Sequence, residues 1–568
     1  MIKHIFWTIV CMASAIFTVT GQTQETSTAA SANDFLNSIG ANSAIYRRGE
    51  NVAKTIEICT YTGIRWIRTD ESGLSDNGST YRAEIKQLFD QAGVKVSLSL
   101  GSGGANIANL VKGAKFIAAY GGLVAIEGCN EPNNWGITYQ GQKGGGSNSW
   151  APVARLHRDL YTQVKADAVL KDYPVWTTTE TGAETDNVGL QYLTVPTTDN
   201  NVTAEFRGAT YADAANCHNY FIHPSWLPIQ NNQNWLSSNP TSSAKGDHLY
   251  GNFGSTWANH FAGYPQAQLN TLPRVTTETG VTLTTQYQWV WADPNTQVYD
   301  TTKPNPDYTN PSKCVTEEVQ GLMYMGCYLS QFKQGWSHTA IYILRDRTDE
   351  NGNQSFGFYA GDYTARKAAL YLHNLTTILS DNTPVDPSTL KNLSCTFSAY
   401  PATVHDLLLQ KSNGKLYLIV WSERYLGGED DITILFPTAF DEIKVYNPVV
   451  GTDPVQTSTS STSVNLAMTN HPFILELTGS GDTGTTPTNT PQKAYIFPNP
   501  AGDCIQIANA SGLKKAEIYD LSGKRLLAVS GVFPATKPID IKALSPDTYI
   551  LKLTGGDDAV ESFKFIKQ

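Results

Sequence analysis

The chain has 568 residues, more than one hydrophobic core serves, since single domains rarely grow past about 250–300 residues. Apolar residues make up 40%, aromatic 11% and charged 16%, a folded composition rather than a disordered one. A net charge of −10 with no basic cluster in the sequence argues against nucleic acid, whose phosphates need grouped Lys and Arg.

The first residues, "MIKHIFWTIVCMASAIFTVTGQTQ", carry Lys3, an apolar stretch from Ile5 to Val19 and small residues up to Gly21. This predicts an export signal over 1–21, too short for an anchor. No later segment approaches the roughly 18 apolar residues of a membrane span, so no stable membrane insertion is expected. Outside the signal, Cys59, Cys129, Cys217, Cys314, Cys327, Cys395 and Cys504 are scattered, without C-x-x-C or zinc spacing. They read mostly as small buried hydrophobes with room for one bridge, and neither metal nor cofactor is implied.

From 34 to 380 short β-branched runs alternate with amphipathic helical stretches. A first strand, weakly marked, falls near "FLNSIGANSA". Then come Gly63–Asp70, Val94–Gly104, Leu123–Pro132, Tyr173–Gly182, Ala214–Phe221, Leu272–Gly280 and His338–Asp346, separated by helical stretches such as "YRAEIKQLFDQAG" and "ARLHRDLYTQVKADAVL". Eight such repeats predict an α/β fold, a (β/α)8 TIM barrel. A doubly wound open sheet is the alternative, but no G-x-G-x-x-G follows the first strand. From 390 to 480 helical stretches vanish and short alternating strands predict a β-sandwich accessory domain. A Gly/Thr/Pro linker at 481–492 leads to a third, small all-β unit at 493–568.

Barrel active sites lie at the C-terminal strand ends, so residues there are the candidates. Strand four ends in Asn130–Glu131–Pro132, where the proline stops the strand and leaves Glu131 at the rim. The pentapeptide "TTETG" occurs twice, placing Glu180 at the end of strand five and Glu278 at the end of strand seven. Strands four and seven face each other across an eight-membered ring, whereas five adjoins four. Glycoside hydrolysis needs carboxyls on opposite sides of the scissile bond, so Glu131 pairs with Glu278 and the two copies are not equivalent. Glu180 reads as a substrate contact, with a supporting or surface position as alternatives.

An Asn-Glu pair closing strand four and a Glu closing strand seven resemble the pattern of the clan A retaining glycoside hydrolases, over about 34–380. That resemblance implies Glu131 as acid/base, Glu278 as nucleophile and Asn130 on the sugar 2-hydroxyl. Many of these enzymes have His-x-Tyr on strand six with the Tyr bonding the nucleophile, which His218 and Tyr220 match; a packed aromatic strand is the alternative. Arg68, ending strand two, is either an ordinary barrel ion pair or the cation that keeps Glu278 charged. Many relatives carry a Trp at the end of strand eight as a sugar platform. Here Trp336 precedes the strand, and Tyr342, Arg345 and Asp346 stand at the rim instead. Trp135, Trp226, Trp289 and Trp291 fall in rim loops, where flat faces suit sugars, although any single one can be a packing residue. "DRTDENG" lacks calcium-loop spacing and reads as an acidic turn.

At the C-terminal end, "FPNPAGD", "YDLSGK", "SPDTYILKL" and "FKFIKQ" resemble, in order, the sorting domain of type IX secretion. The expected partners are thus a polysaccharide or oligosaccharide substrate and the type IX machinery, and the expected location is secreted or cell-surface. The expected function is retaining hydrolysis of a β-linked glycan, with β-1,3-glucan and xylan as examples. A transglycosylase on the same site and a non-catalytic surface glycan-binding protein are the alternatives; the carboxylate pair argues against the last.

Overall fold

The computed structural model describes residues 23–45, 47–77, 79–179, 190, 192–200, 202–218, 220, 273–283, 291–293, 298–299, 315–347, 355–401, 403–425, 427–479, 495–497, 501, 504–508, 513–531, 536–555 and 560–567. The expected export signal and linker lie outside these residues.

Eight parallel strands form one sheet: β1 (Ile39–Asn42), β2 (Trp66–Asp70), β3 (Lys95–Ser102), β4 (Leu123–Asn130), β5 (Val175–Trp176), β6 (Ala215–His218), β7 (Arg274–Thr279) and β8 (Trp336–Ile341). They pair in chain order, β8 returns to β1, and a parallel bridge between Trp176 and Ala214 joins β5 to β6. The ring is closed: a (β/α)8 barrel. A short helix, Ala32–Ser38, leads into β1, and among the described residues the helices that follow the strands are α1 (Val52–Thr62), α2 (Thr80–Ala92), α3 (Ile107–Ala118), α4 (Ala151–Ala166), α5 (Glu317–Lys333) and α6 (Lys367–Ile378). Asn51, Ser79 and Asn106 start α1 to α3 by accepting an orphan backbone N–H, and Gly63 and Gly93 end α1 and α2 in the left-handed conformation.

Alternation along the strands fills the barrel in layers. At the bottom, Trp66 and Trp176 meet edge to face among Ala125, Ala214, Val275 and Ala340. Gly40 permits this floor, because a Cβ there would stand 2.2 Å from the Trp66 ring. Two residues further along, Arg68, Glu127, Asn216 and Thr277 form a buried polar layer. The rim above carries the site. Trp336, expected ahead of strand eight, is the first residue of β8 and is buried at 1% exposure, so it is no rim platform.

The sandwich strands are β9 (Asn392–Phe397), β10 (Val404–Gln410), β11 (Leu416–Ser422), β12 (Asp430–Tyr446), β13 (Pro454–Met468) and β14 (Phe473–Thr478). The separate strands expected at "DITILFP" and "EIKVYNPV" are one long strand, β12, whose halves pair with different neighbours around a register shift between Leu435 and Phe440. Two short strands ahead of the barrel, Thr23–Thr28 and Ala30–Ser31, pair with β9 and β10. Strands β10 and β11 are buried on both faces. Val404, Leu408, Leu416, Leu418 and Val420 fill the sandwich, while Leu407, Leu409, Tyr417, Ile419 and Trp421 join the barrel core.

The C-terminal unit, Gly484–Gln568, has its own core of Ile505, Ile518, Leu551, Leu553 and Phe565 beneath a three-stranded and a four-stranded antiparallel sheet. Six of the cysteines are among the described residues and all are free thiols, five of them buried.

Candidate active site

β4 ends at Asn130, and Glu131 follows with φ of 41°, a left-handed conformation that costs a non-glycine residue energy and is held only by surrounding contacts. Its N–H donates to the Thr179 carbonyl at 2.9 Å, and its carbonyl accepts from Asn134 and Trp135 at 2.8 and 2.7 Å. This turn aims the carboxyl into the barrel mouth. There Oε1 lies 2.7 Å from His218 Nδ1, and Oε2 accepts from Asn134 Nδ2 at 3.0 Å.

On the facing wall Glu278, from β7, accepts from Tyr220 at 2.5 Å through one oxygen and from Arg68 at 3.1 Å through the other. A carboxylate oxygen of Glu131, one of Glu278 and a ring nitrogen of His218 lie within 4.8 Å of one another. These donors have the reach of metal ligands. Yet both Glu278 oxygens are already engaged, one by a guanidinium, which neutralises the carboxylate and repels a second cation. The set fits a carboxylate pair better than a metal centre.

Arg68 ties the layers together. Its Nε donates to Glu127 at 2.9 Å, one terminal nitrogen reaches Glu278 and the other donates to Asn130 Oδ1 at 2.9 Å. Burial opposes its charge, but Glu127 and Glu278 outweigh that and hold its pKa above the ordinary arginine value. Asn130 in turn donates to Ser102 at 3.1 Å. Tyr220 has its phenol pushed far up, first by burial and then by the Glu278 charge, so it remains a donor at any working pH.

Of the residues singled out in the sequence, Glu131, Glu278, Asn130, Arg68, Tyr220, Trp135 and Tyr342 line one cavity of about 620 Å³, with His218 buried directly behind the carboxyls. Trp135 is 55% exposed on its lip. Tyr342 packs edge to face on Phe356, and its hydroxyl accepts from Arg347 at 3.0 Å. Asp346 is not at the mouth; it is buried in an ion pair with Arg366. Glu180, Trp226 and Trp289 lie outside the described residues, and Trp291 sits in a short strand, Trp291–Asp293, whose side chains are undescribed. Sequence reasoning missed Glu127, fully buried beneath Arg68 and also bonded by Ser97. A charged residue inside the apolar run "LVAIEGC" was its available signal, since buried charges need partners.

Residues 495–568 match the family described as the secretion system C-terminal sorting domain. The chain thus carries a sorting domain for export at its C-terminal end. No curated protein matches the chain significantly. Among solved structures, a family 39 glycoside hydrolase from Bacteroides cellulosilyticus is 12% identical, with 78% of this chain and 82% of its own covered and a TM-score of 0.46. A family 51 α-L-arabinofuranosidase from Bifidobacterium longum is 10% identical over 80% and 98%, with a TM-score of 0.45. The catalytic domain of a GH30 xylanase from Talaromyces cellulolyticus is 10% identical over 81% and 99%, with a TM-score of 0.42.

Proposed function

We propose that the chain is an exported glycoside hydrolase that cleaves a β-linked glycan with net retention. The observation that carries this reading is the approach of the Glu131 and Glu278 carboxyls to within 4.8 Å at the barrel mouth. Retaining enzymes hold their carboxyls about 5–5.5 Å apart, whereas inverting ones leave about 6.5–9.5 Å for a water.

Contacts separate the two roles. Glu278 is held by a guanidinium and a phenol donor, which orient its carboxyl across the mouth as a nucleophile requires. Glu131 meets neutral Asn134 and the His218 ring, which accepts from a carboxyl or donates to a carboxylate according to its tautomer. In the first step a Glu278 oxygen attacks the anomeric carbon while Glu131 gives its proton to the departing oxygen. In the second, Glu131 takes a proton from water, which displaces Glu278 at the same carbon, so two inversions restore the configuration. The expected signal over 1–21 and the sorting domain together direct this enzyme out of the cell.

The test is product stereochemistry. Proton NMR during hydrolysis should show the β-anomer first, and Glu278→Ala should abolish turnover of aryl glycosides. Initial release of the α-anomer, or unchanged turnover by the variant, would refute the assignment. Glycan binding without turnover by the wild type would instead make the chain a binding protein.

A further inference from the structure

A second groove lies at the foot of the barrel, the end away from the carboxyls. The C-terminal ends of α1, α2 and α6 surround it, with Gly63 and Gly93 closing the first two helices ahead of β2 and β3, and it encloses about 410 Å³. We propose that this groove binds a neutral stretch of glycan chain, with one sugar stacked on the Tyr61 ring. The groove does no chemistry, so the proposal goes beyond the hydrolase reading and stands apart from it.

Two observations set the groove apart from a solvated face. The first is an aromatic ring held in the open. Among the described residues, Tyr61 at 38% and Trp135 at 55% are the exposed large aromatics, and Trp135 belongs to the catalytic mouth. Tyr61 stacks on His373 with ring centroids 4.0 Å apart and planes 8° from parallel, and His373 Nδ1 donates to the Tyr61 carbonyl at 2.6 Å. An exposed ring already fixed in its plane loses little freedom when a ligand stacks on it. With Nδ1 committed, Nε2 of the neutral imidazole is left to accept from a hydroxyl.

The second is the kind of polar group on offer. Arg65 is the one Lys, Arg, Asp or Glu side chain among the described lining residues, and its guanidinium is already engaged. One terminal nitrogen donates to the Asn33 and Asn37 side chains at 2.6 and 2.8 Å, the other to Asn382 Oδ1 at 2.9 Å and to the Asp381 carbonyl. The side chains of Thr60, Gln91, Thr377 and Ser380, by contrast, have no hydrogen-bond partner among the described residues. Hydroxyls, a carboxamide and a ring match the hydroxyl edge and C–H face of a neutral sugar, whereas an ion would be desolvated here without a free counter-charge. On the hydrolase reading, a glycan held at the foot keeps the enzyme on its polymer while the mouth works at the other end.

The test measures depletion of the full chain carrying Glu278→Ala from suspensions of insoluble β-1,3-glucan and of insoluble xylan. Adding Tyr61→Ala should weaken binding to at least one of them by about three- to tenfold, and Tyr61→Phe, which keeps the ring, should restore it. Added salt should leave the difference in place, since no ion pair is involved. With Glu278 intact, Tyr61→Ala should turn over aryl glycosides at the wild-type rate, because the groove is at the opposite end of the barrel from the mouth. No binding to either glycan, binding untouched by Tyr61→Ala, a loss that Tyr61→Phe does not repair, a difference erased by salt, or an equal fall in turnover overturns the proposal. Ring-dependent binding by a chain whose wild type cleaves no glycoside would sustain this proposal and refute the hydrolase reading. Cleavage with ring-independent binding does the reverse.

Discussion

Arg68 is one cation serving two carboxylates and an amide, and that sharing differentiates the acids at the mouth. Glu127 holds the guanidinium from below, so its outer nitrogens are directed at Glu278 and Asn130. The ion pair reaches Glu278, while Glu131 accepts from Asn134 and lies against the His218 ring. On the proposed reading, Glu131 supplies a proton to the leaving oxygen. Glu131→Gln should lower hydrolysis of a natural glycan by about 100- to 10,000-fold, the usual worth of a general acid. Aryl glycosides with strongly acidic leaving groups need no proton, so their first step should be nearly spared. Parallel rate measurements on both substrates check this, and equal losses would assign the proton to another group.

Period-two alternation connects the elements to the chemistry. Along β2, Trp66 paves the barrel floor and Arg68 occupies the polar layer, with Asp70 at the rim. On β4, Ala125 and Glu127 repeat the order. A rigid apolar floor thus sets the height of the charged layer, and the charged layer orients the rim. Helix α4 is locked to β4 at Gly128, where a Cβ would stand 2.6 Å from His157 Nδ1. Burial depresses His157 from 6.5 to about 3, and desolvation depresses His338 and His405 to about 4. An unfolded chain takes protons on these rings below about 6.5, which the folded one refuses. Their contribution is therefore complete above that pH and is lost as the pH falls towards 4 and 3. Thermal midpoints should be level from pH 8 to 7 and decline below about 6.5. The decline should be shallower in His157→Phe, whose ring retains the stacking on Tyr211. Parallel slopes for the two proteins would discount His157.

For the whole molecule, the barrel and sandwich are joined by the two-faced strands β10 and β11 and by the segment ahead of the barrel. Thr23–Thr28 pairs along its length with β9, and Ser31 caps the short helix Ala32–Ser38 by accepting from the Asp34 N–H at 3.2 Å. A chain begun at residue 34, the barrel start suggested by the sequence, loses both strands and this cap. Its thermal midpoint should fall below that of a chain begun at residue 23 by about 1 °C for each kcal/mol lost, since about 2.1 cal/mol/K of unfolding entropy per residue sums to about 1 kcal/mol/K at this size. Scanning calorimetry of the two forms decides, and equal midpoints would show that the added strands are decorative.

Local chemistry made much of this legible. Strand and helix periodicity foretold a closed ring, because each element must bury one face, and a carboxylate beside a strand-stopping proline marked Glu131. The sequence likewise located Glu278 by counting strands. Other features depend on residues distant along the chain. Glu127 lies inside an apolar run, and its partners, Arg68 on β2 and Ser97 on β3, come from other strands. The Thr23–Thr28 strand is too polar to announce itself and forms because β9 offers an open edge. His373 is separated from Tyr61 by 373 − 61 = 312 positions, and only ring closure, which sets β8 against β1, stacks the two rings at one groove. Periodicity is short-range and is written in the sequence; the partner of a buried charge, and the lining of a groove, come from chain segments that only the folded molecule brings together.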